Sequence, residues 1–318
     1  MPSDLSGLVV AAHGRHYQVM LADGTILQCY TRGKKSEAVC GDRVEVQEQG
    51  QDSGVIENIL PRKNLFYRSN ATKQKMIAAN VDQLLLVVAV TPLFSGELVE
   101  RCRIAARQQG MDCLILLNKC DLGEYLPAAR ERLSSLGHGD LEIMEISARD
   151  GKGTARRLTE RLRGKVSLFA GQSGMGKSTL INALVPEAQA TTGAISLALD
   201  SGKHTTTAAR LYFLPPEKET LAEKSKGGCL IDSPGLQTFG LGHLAFPELE
   251  AAFQEFQPFL GNCRFRNCQH QNEPGCALAE AAAKGEFSPE RLAIFRALAE
   301  SIRFETPLPK GGARPYRR

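Results

Sequence analysis

Along the first sixty residues, apolar and polar positions alternate or cluster with the short period of β-strands. Five segments carry the pattern: Leu8 to Ala11, Tyr17 to Leu21, Ile26 to Tyr30, Arg43 to Gln47 and Gly54 to Ile59. Turn-forming residues separate them at His13-Gly14, Ala22-Asp23-Gly24, Gly41-Asp42 and Asp52-Ser53-Gly54. Five short strands without a long helix predict a small β-barrel, with the OB-fold as the natural candidate. A barrel with no nucleic-acid role fits this segment equally well.

From Val81 the grammar changes. Continuous apolar runs at Leu84 to Val90, Cys113 to Leu117, Ile143 to Ile146, Val166 to Ala170 and Cys229 to Ile231 read as buried strands. Helical periods separate them, over Glu97 to Gln109, Leu126 to Leu136, Gly153 to Leu162 and Lys177 to Val185. Buried strands alternating with helices predict a parallel sheet covered on both faces, with ligands at the carboxyl ends of the strands. After Leu244 the pattern turns helical and loop-rich. Leu249, Phe253 and Phe256 share one face, and Ser288-Pro289 reads as the cap and first turn of a helix burying Leu292, Phe295, Leu298 and Ile302. The predicted domains are therefore a barrel over 1–70, an α/β domain over 71–244 and a small helical domain over 245–318.

Between barrel and sheet, Pro61 to Met76 holds Arg62, Lys63, Arg68, Lys73 and Lys75, with Phe66 and Tyr67 among them and no acid. This reads as an interdomain linker whose basic and aromatic side chains also suit RNA. Composition adds little else. The 318 residues are 42% hydrophobic and 23% charged, which excludes disorder as the main state. The net charge of +4 is too small for a protein acting by bulk positive charge, and it resides wholly in Arg303 to Arg318. No apolar run approaches the length of a membrane span, and the first residues form no secretory signal. Six of the nine cysteines are scattered, which speaks against a disulfide framework and for a cytoplasmic setting.

Four motifs carry the chemistry. Gly171-Gln172-Ser173-Gly174-Met175-Gly176-Lys177-Ser178 fits GxxxxGK[ST], between a predicted strand and a predicted helix that begins near Lys177 and runs through Thr179. Its backbone N–H groups suit a β-phosphate, Lys177 the β- and γ-oxygens, and Ser178 a magnesium ion. Asn118-Lys119-Cys120-Asp121 ends the strand Cys113 to Leu117. A carboxylate at Asp121 accepts both N1–H and the 2-amino group of guanine, which adenine lacks. Asn118 is expected on the other base edge, Lys119 along the ring plane, and Ser147-Ala148 on the opposite side of the base. Asp232-Ser233-Pro234-Gly235 suits magnesium through Asp232 and the γ-phosphate through the Gly235 N–H. In Gly202-Lys203-His204-Thr205-Thr206-Thr207, a threonine closes on magnesium and the γ-phosphate; Thr206 is taken into the candidate site, and its neighbours stay open for that role.

Apart from these, Cys263, Cys268, His270 and Cys276 lie within fourteen residues. Three thiolates and one imidazole close a tetrahedral zinc shell with no position left for water, so the expected zinc is structural.

The order of the nucleotide motifs is permuted. Base recognition precedes the phosphate loop, and both switches follow it. In this order, with the barrel and the cysteine–histidine cluster, the chain resembles the bacterial ribosome small subunit-dependent GTPases, a circularly permuted family. Gly202 to Thr207 and the spacing Cys263-x4-Cys268-x-His270-x5-Cys276 are specific to it. The family commonly has Arg where this chain has Lys203. The resemblance implies an α/β P-loop GTPase domain, circularly permuted, between an OB-fold and a C-terminal zinc domain. It also implies binding to the small ribosomal subunit and its rRNA, a role in the subunit's late maturation, and hydrolysis stimulated by the subunit; a monomer is expected. The position after Gly235, where Ras-type GTPases keep a water-orienting Gln, holds Leu236. His204 is the candidate catalytic group, a role to which the resemblance also points, with Gln237 as the fallback.

Two other classes stay open at this point. One is a GTP-regulated switch or chaperone for a different RNA or protein complex. The other is a zinc protein that binds nucleic acid and whose nucleotide site is purely structural, against which the intact Lys177, Ser178, Asp232 and Gly235 speak.

Overall fold

A computed structural model describes residues 5–32, 38–69, 74–136, 142–186, 188, 209–214, 227–232, 241–242 and 244–304. The five predicted N-terminal strands form as β1 (Leu5–His13), β2 (His16–Leu21), β3 (Ile26–Thr31), β4 (Arg43–Glu48) and β5 (Ser53–Ile59). They pair in the order β1-β2-β3-β5-β4, and β4 returns to β1, closing an OB-like barrel. Alternation sorts their side chains. Val9, Tyr17, Val19, Leu27, Val44 and Val46 fill the barrel. Val10 and Met20, one residue along from Val9 and Val19, join the core of the α/β region instead.

The α/β sheet contains β8 (Gln83–Ala89), β9 (Asp112–Asn118), β10 (Glu142–Glu145), β11 (Val166–Ala170), β12 (Ala209–Phe213) and β13 (Cys229–Asp232). Its order is β10-β9-β8-β11-β13-β12. All seven residues of β8 are buried, the apolar run from Leu84 and also Gln83, whose amide donates to the Ser167 hydroxyl at 2.8 Å. The helices α1 (Gly96–Gln108), α2 (Leu126–Ser135), α3 (Gly151–Leu162) and α4 (Lys177–Leu184) follow the predicted periods.

Three observations correct the sequence reading. The sheet is not wholly parallel, because β12 runs antiparallel to β13. Barrel and sheet are one hydrogen-bonded surface: Leu5 to Leu8 of β1 pair with β4, and beyond a bulge after Val9, Ala11 and Ala12 pair with Arg210 and Ala209 of β12. Pro61 to Met76 is not a linker. It contributes most of a hairpin of β6 (Leu65–Ser69) and β7 (Gln74–Ala79). Phe66 and Tyr67 are buried and therefore cannot receive bases. Arg62 forms two hydrogen bonds to the buried Asp42, at 2.7 and 2.8 Å, and Lys63 pairs with Asp82 at 2.9 Å. Two of the charges read as an RNA patch thus hold the barrel to the sheet.

The C-terminal residues form α5 (Phe246–Ala252), α6 (Ala277–Ala283) and α7 (Pro289–Phe304). Ser288 caps α7 through a bond from the Arg291 N–H. Phe253, Phe256 and Phe295 pack with ring centroids 5.0–5.4 Å apart. The basic tail beyond Phe304 lies outside the described residues. Among the described residues, no helix is long and apolar enough to cross a membrane.

Candidate functional site

The carboxyl ends of β8, β9 and β11, with the turn after β10, bring together motifs that bond across 30 and 57 residues of chain. Asn118, the last residue of β9, sits at their centre and is 1% exposed. Its Nδ2 donates to the Met175 carbonyl in the phosphate loop at 2.8 Å, and its Oδ1 accepts from the Ala148 N–H at 2.9 Å. Its amide joins the base loops to the phosphate loop, and these two bonds leave one amide N–H and one oxygen lone pair over.

The phosphate loop lies close enough for that bond because of two glycines. At Gly176, φ is +89° and a Cβ would stand 2.3 Å from Asn118 Nδ2. At Gly171, φ is +152° and a Cβ would stand 2.5 Å from the Val87 carbonyl oxygen. Neither position admits a side chain without displacing the loop. Gly174 also has positive φ, and Met175 is buried beneath the loop. Gln172 accepts from the Ser95 N–H at 3.1 Å, tying the loop to the cap of α1. Ser173, Ser178 and Thr179 are exposed, and Lys177 opens α4.

Next to it, Asp121 offers a carboxylate whose Oδ1 accepts from the Ser147 hydroxyl at 2.7 Å. That bond, more than the nearby Arg149 guanidinium, holds Asp121 below the ordinary carboxylate range, so it is anionic at neutral pH. Thr154 on α3 donates to the Ser147 carbonyl at 2.7 Å and so fixes the turn that carries Ser147 and Ala148. Lys119 adopts φ +63° and donates to the Thr91 carbonyl at 2.8 Å. Sequence reasoning missed Arg149, which reaches Asp121 Oδ2 at 3.3 Å, and Ser95; only their places beside recognised motifs could have marked them.

On the other flank, β13 ends at Asp232. Its Oδ1 is buried and has no hydrogen-bond partner among the described residues. Burial raises the Asp232 pKa, and the Lys177 charge opposes that rise, which puts the two groups within electrostatic reach. An orphaned carboxylate oxygen beside a phosphate loop fits a magnesium ion or its water. His204, Thr206 and Gly235, with the rest of 202–207 and 233–235, lie outside the described residues.

The second cluster closes as expected. The ligand atoms of Cys263, Cys268, His270 and Cys276 lie within 4.8 Å of one another, so this set could hold a metal ion. His270 Nδ1 faces the sulfurs of Cys263 and Cys276 at 3.5 and 3.4 Å. Its other nitrogen meets Glu250 Oε1 at 2.8 Å, the outer partner that fixes a metal-ligating imidazole. The Ala277 and His270 N–H groups donate to the sulfurs of Cys263 and Cys268.

Comparison with known proteins agrees with this geometry. The family model described as RsgA GTPase matches residues 59–242. The chain belongs to the RsgA GTPase family. Among curated relatives, a "Small ribosomal subunit biogenesis GTPase RsgA" from Bordetella pertussis is 47% identical over 310 residues, 98% of each chain. One of the same name from Burkholderia pseudomallei is 50% identical over 294 residues, covering 92% of this chain and 90% of that one. The crystal structure of YjeQ from Thermotoga maritima matches with a TM-score of 0.65 at 31% identity, over 95% of this chain and 99% of that one. YloQ, described as a circularly permuted GTPase, shares the fold with a TM-score of 0.60 at 23% identity, over 95% and 96% of the two chains. The permuted order of the motifs is therefore the order of this RsgA fold.

Proposed function

We propose that the chain binds GTP between the phosphate loop and the Asp121 and Ser147 corner, and hydrolyses it to GDP and phosphate in the maturation of the small ribosomal subunit. The observation that carries the nucleotide reading is Asn118, whose amide joins Met175 to Ala148 and so brings three separated motifs together. Asp121 binds the guanine N1–H and 2-amino groups, with Ser147 holding its carboxylate in place. Residues Gly171 to Lys177 hold the β- and γ-phosphates through backbone N–H groups and the Lys177 ammonium. Ser178 and Asp232 hold magnesium, which when bound neutralises charge on the β- and γ-phosphate oxygens. Thr206 and Gly235 approach the γ-phosphate. A water oxygen bonds the γ-phosphorus as the bond to the β–γ bridging oxygen breaks, and His204 orients that water.

Cys263, Cys268, His270 and Cys276 hold one structural zinc, a reading supported by the closed set of three sulfurs and one nitrogen. The family and the names of its relatives support the small subunit as partner. The domain limits 1–70, 71–244 and 245–318 stand as part of this reading, with barrel and sheet joined through β1 and β12.

Two measurements test it. Asp121→Asn should turn the preference from guanine to xanthine nucleotides, and an unchanged preference for GTP would place the base elsewhere. Sedimentation with small and large ribosomal subunits, in a GTP analogue and in GDP, tests the partner; equal binding to both subunits in both states would defeat it.

A further inference from the structure

The turn between the first two metal-site cysteines is unlike the rest of the C-terminal region. Arg264, Phe265, Arg266 and Asn267 are all exposed, and both flanking residues, Cys263 and Cys268, belong to the metal cluster. Phe265 is 43% exposed, whereas Phe253, Phe256, Phe287 and Phe295 are buried in the same region. The backbone of the turn is held in place. The Phe265 carbonyl accepts from the Cys268 N–H at 3.2 Å, and the Arg264 N–H donates to the Gly275 carbonyl at 2.9 Å. The Arg264 guanidinium stands 5.6 Å from the Phe265 ring centroid. Between Gln257 and Asn272 the sequence holds no acid, and Glu273 just beyond accepts from the Gln269 N–H at 2.9 Å.

We infer that the turn Arg264-Phe265-Arg266 is a binding site for an unpaired RNA nucleotide, with the base stacked on Phe265 and the flanking phosphates on Arg264 and Arg266. An aromatic ring between two cations fits a π-face bounded by phosphates. A hydrophobic protein patch would leave both guanidinium groups without a counter-charge. Held between metal-site residues, the backbone of the turn loses little freedom on binding. The inference rests on the small-subunit reading for its natural RNA, and supplies an RNA contact that the buried Phe66 and Tyr67 cannot.

The test uses the full chain and its Phe265→Ala, Phe265→Tyr and Arg264→Gln/Arg266→Gln variants. Two probes are compared, a mixed-sequence single-stranded RNA of about ten nucleotides and purified small subunits. Metal content and intrinsic GTP turnover should equal wild type in all variants. Phe265→Ala should weaken oligonucleotide binding on the order of tenfold, and Phe265→Tyr should restore it. The double arginine variant should lower the salt slope of oligonucleotide binding by about 1.4, two phosphates' worth for a single strand. Wild-type oligonucleotide affinity in Phe265→Ala would overturn the inference and leave the small-subunit reading intact. Loss of subunit binding alone, with the oligonucleotide unaffected, would assign the turn to a protein partner and overturn it too. Phe265-dependent oligonucleotide binding in a chain that ignores small subunits would uphold the inference and defeat that reading.

Discussion

The C-terminal helices and the base-recognising corner both rely on ion pairs, and they use them in opposite ways. Where α1 meets α7, Glu100 and Arg291 are almost wholly buried and 3.0 Å apart. Arg291 also reaches Glu255 at 2.6 Å and lies over the Phe253 ring at 4.6 Å, while Arg103 pairs with Glu100 at 3.0 Å and donates to the Ala252 carbonyl. At the base corner, Arg149 and Asp121 are 3.3 Å apart, with side chains 79% and 30% exposed. The buried network has no exit for its charges, so it fixes one arrangement of helices. On the proposed reading the exposed pair opens, since guanine takes both carboxylate oxygens of Asp121. Burial thus separates a charge that serves the fold from one that serves exchange.

The largest effect should come from the metal cluster on the C-terminal side. Removing the metal with a chelator, or Cys268→Ser, should melt α5 to α7 and leave nucleotide affinity nearly unchanged. Circular dichroism and metal analysis measure this; full retention of helix without metal would break the contrast. Next, Glu100→Ala leaves Arg291 and Arg103 buried without their shared carboxylate, and should cost about 3–5 kcal/mol of stability by denaturant titration. A cost below about 1 kcal/mol would show that water enters the network and that it resembles the exposed pair after all. At the base corner, Asp121→Asn should leave the melting temperature unchanged and lower GTP affinity on the order of a hundredfold, read by equilibrium titration.

Much of this contrast was legible in the sequence on one side only. Motifs made of neighbouring residues, from Gly171 to Ser178 or from Asn118 to Asp121, announce their chemistry at short range. So do the alternating barrel strands and the close spacing of Cys263 to Cys276. The network of Glu100, Arg103, Glu255 and Arg291 spans nearly two hundred residues, and no periodicity marks its members as partners. Arg62 misled for the same reason: among Lys and Arg neighbours it reads as surface charge, and only the fold supplies Asp42. Phe66 and Tyr67 read as exposed because their neighbours are basic, yet the hairpin turns both inward. The β1 strand reads correctly as a strand, but pattern alone could not say that its first residues pair with β4 and its last with β12. Asn118 is legible as a site residue, but not its bonds to Met175 and Ala148, which depend on loops that only folding brings together.

The smallest effect should be that of Arg149. Ser147 bonds Asp121 Oδ1 at 2.7 Å and is the main cause of its lowered pKa, whereas Arg149 makes one longer bond from an exposed side chain. Exposed pairs of this kind contribute little to stability, and salt screens them. Arg149→Ala should therefore leave the melting temperature unchanged and alter GTP affinity by less than about threefold, with faster association where Oδ2 is cleared. Ser147→Ala should act differently. A depressed carboxylate pKa keeps Asp121 ionised as pH falls, so guanine binding in wild type should persist into the ordinary carboxylate range and fail only below it. Removing the Ser147 hydroxyl raises the Asp121 pKa and should move that loss to higher pH, whereas Arg149→Ala should move it less. Titrations of GTP affinity against pH for the two variants decide between them. A larger shift from Arg149→Ala would mean that the exposed pair, and not the serine, sets the charge of the base site.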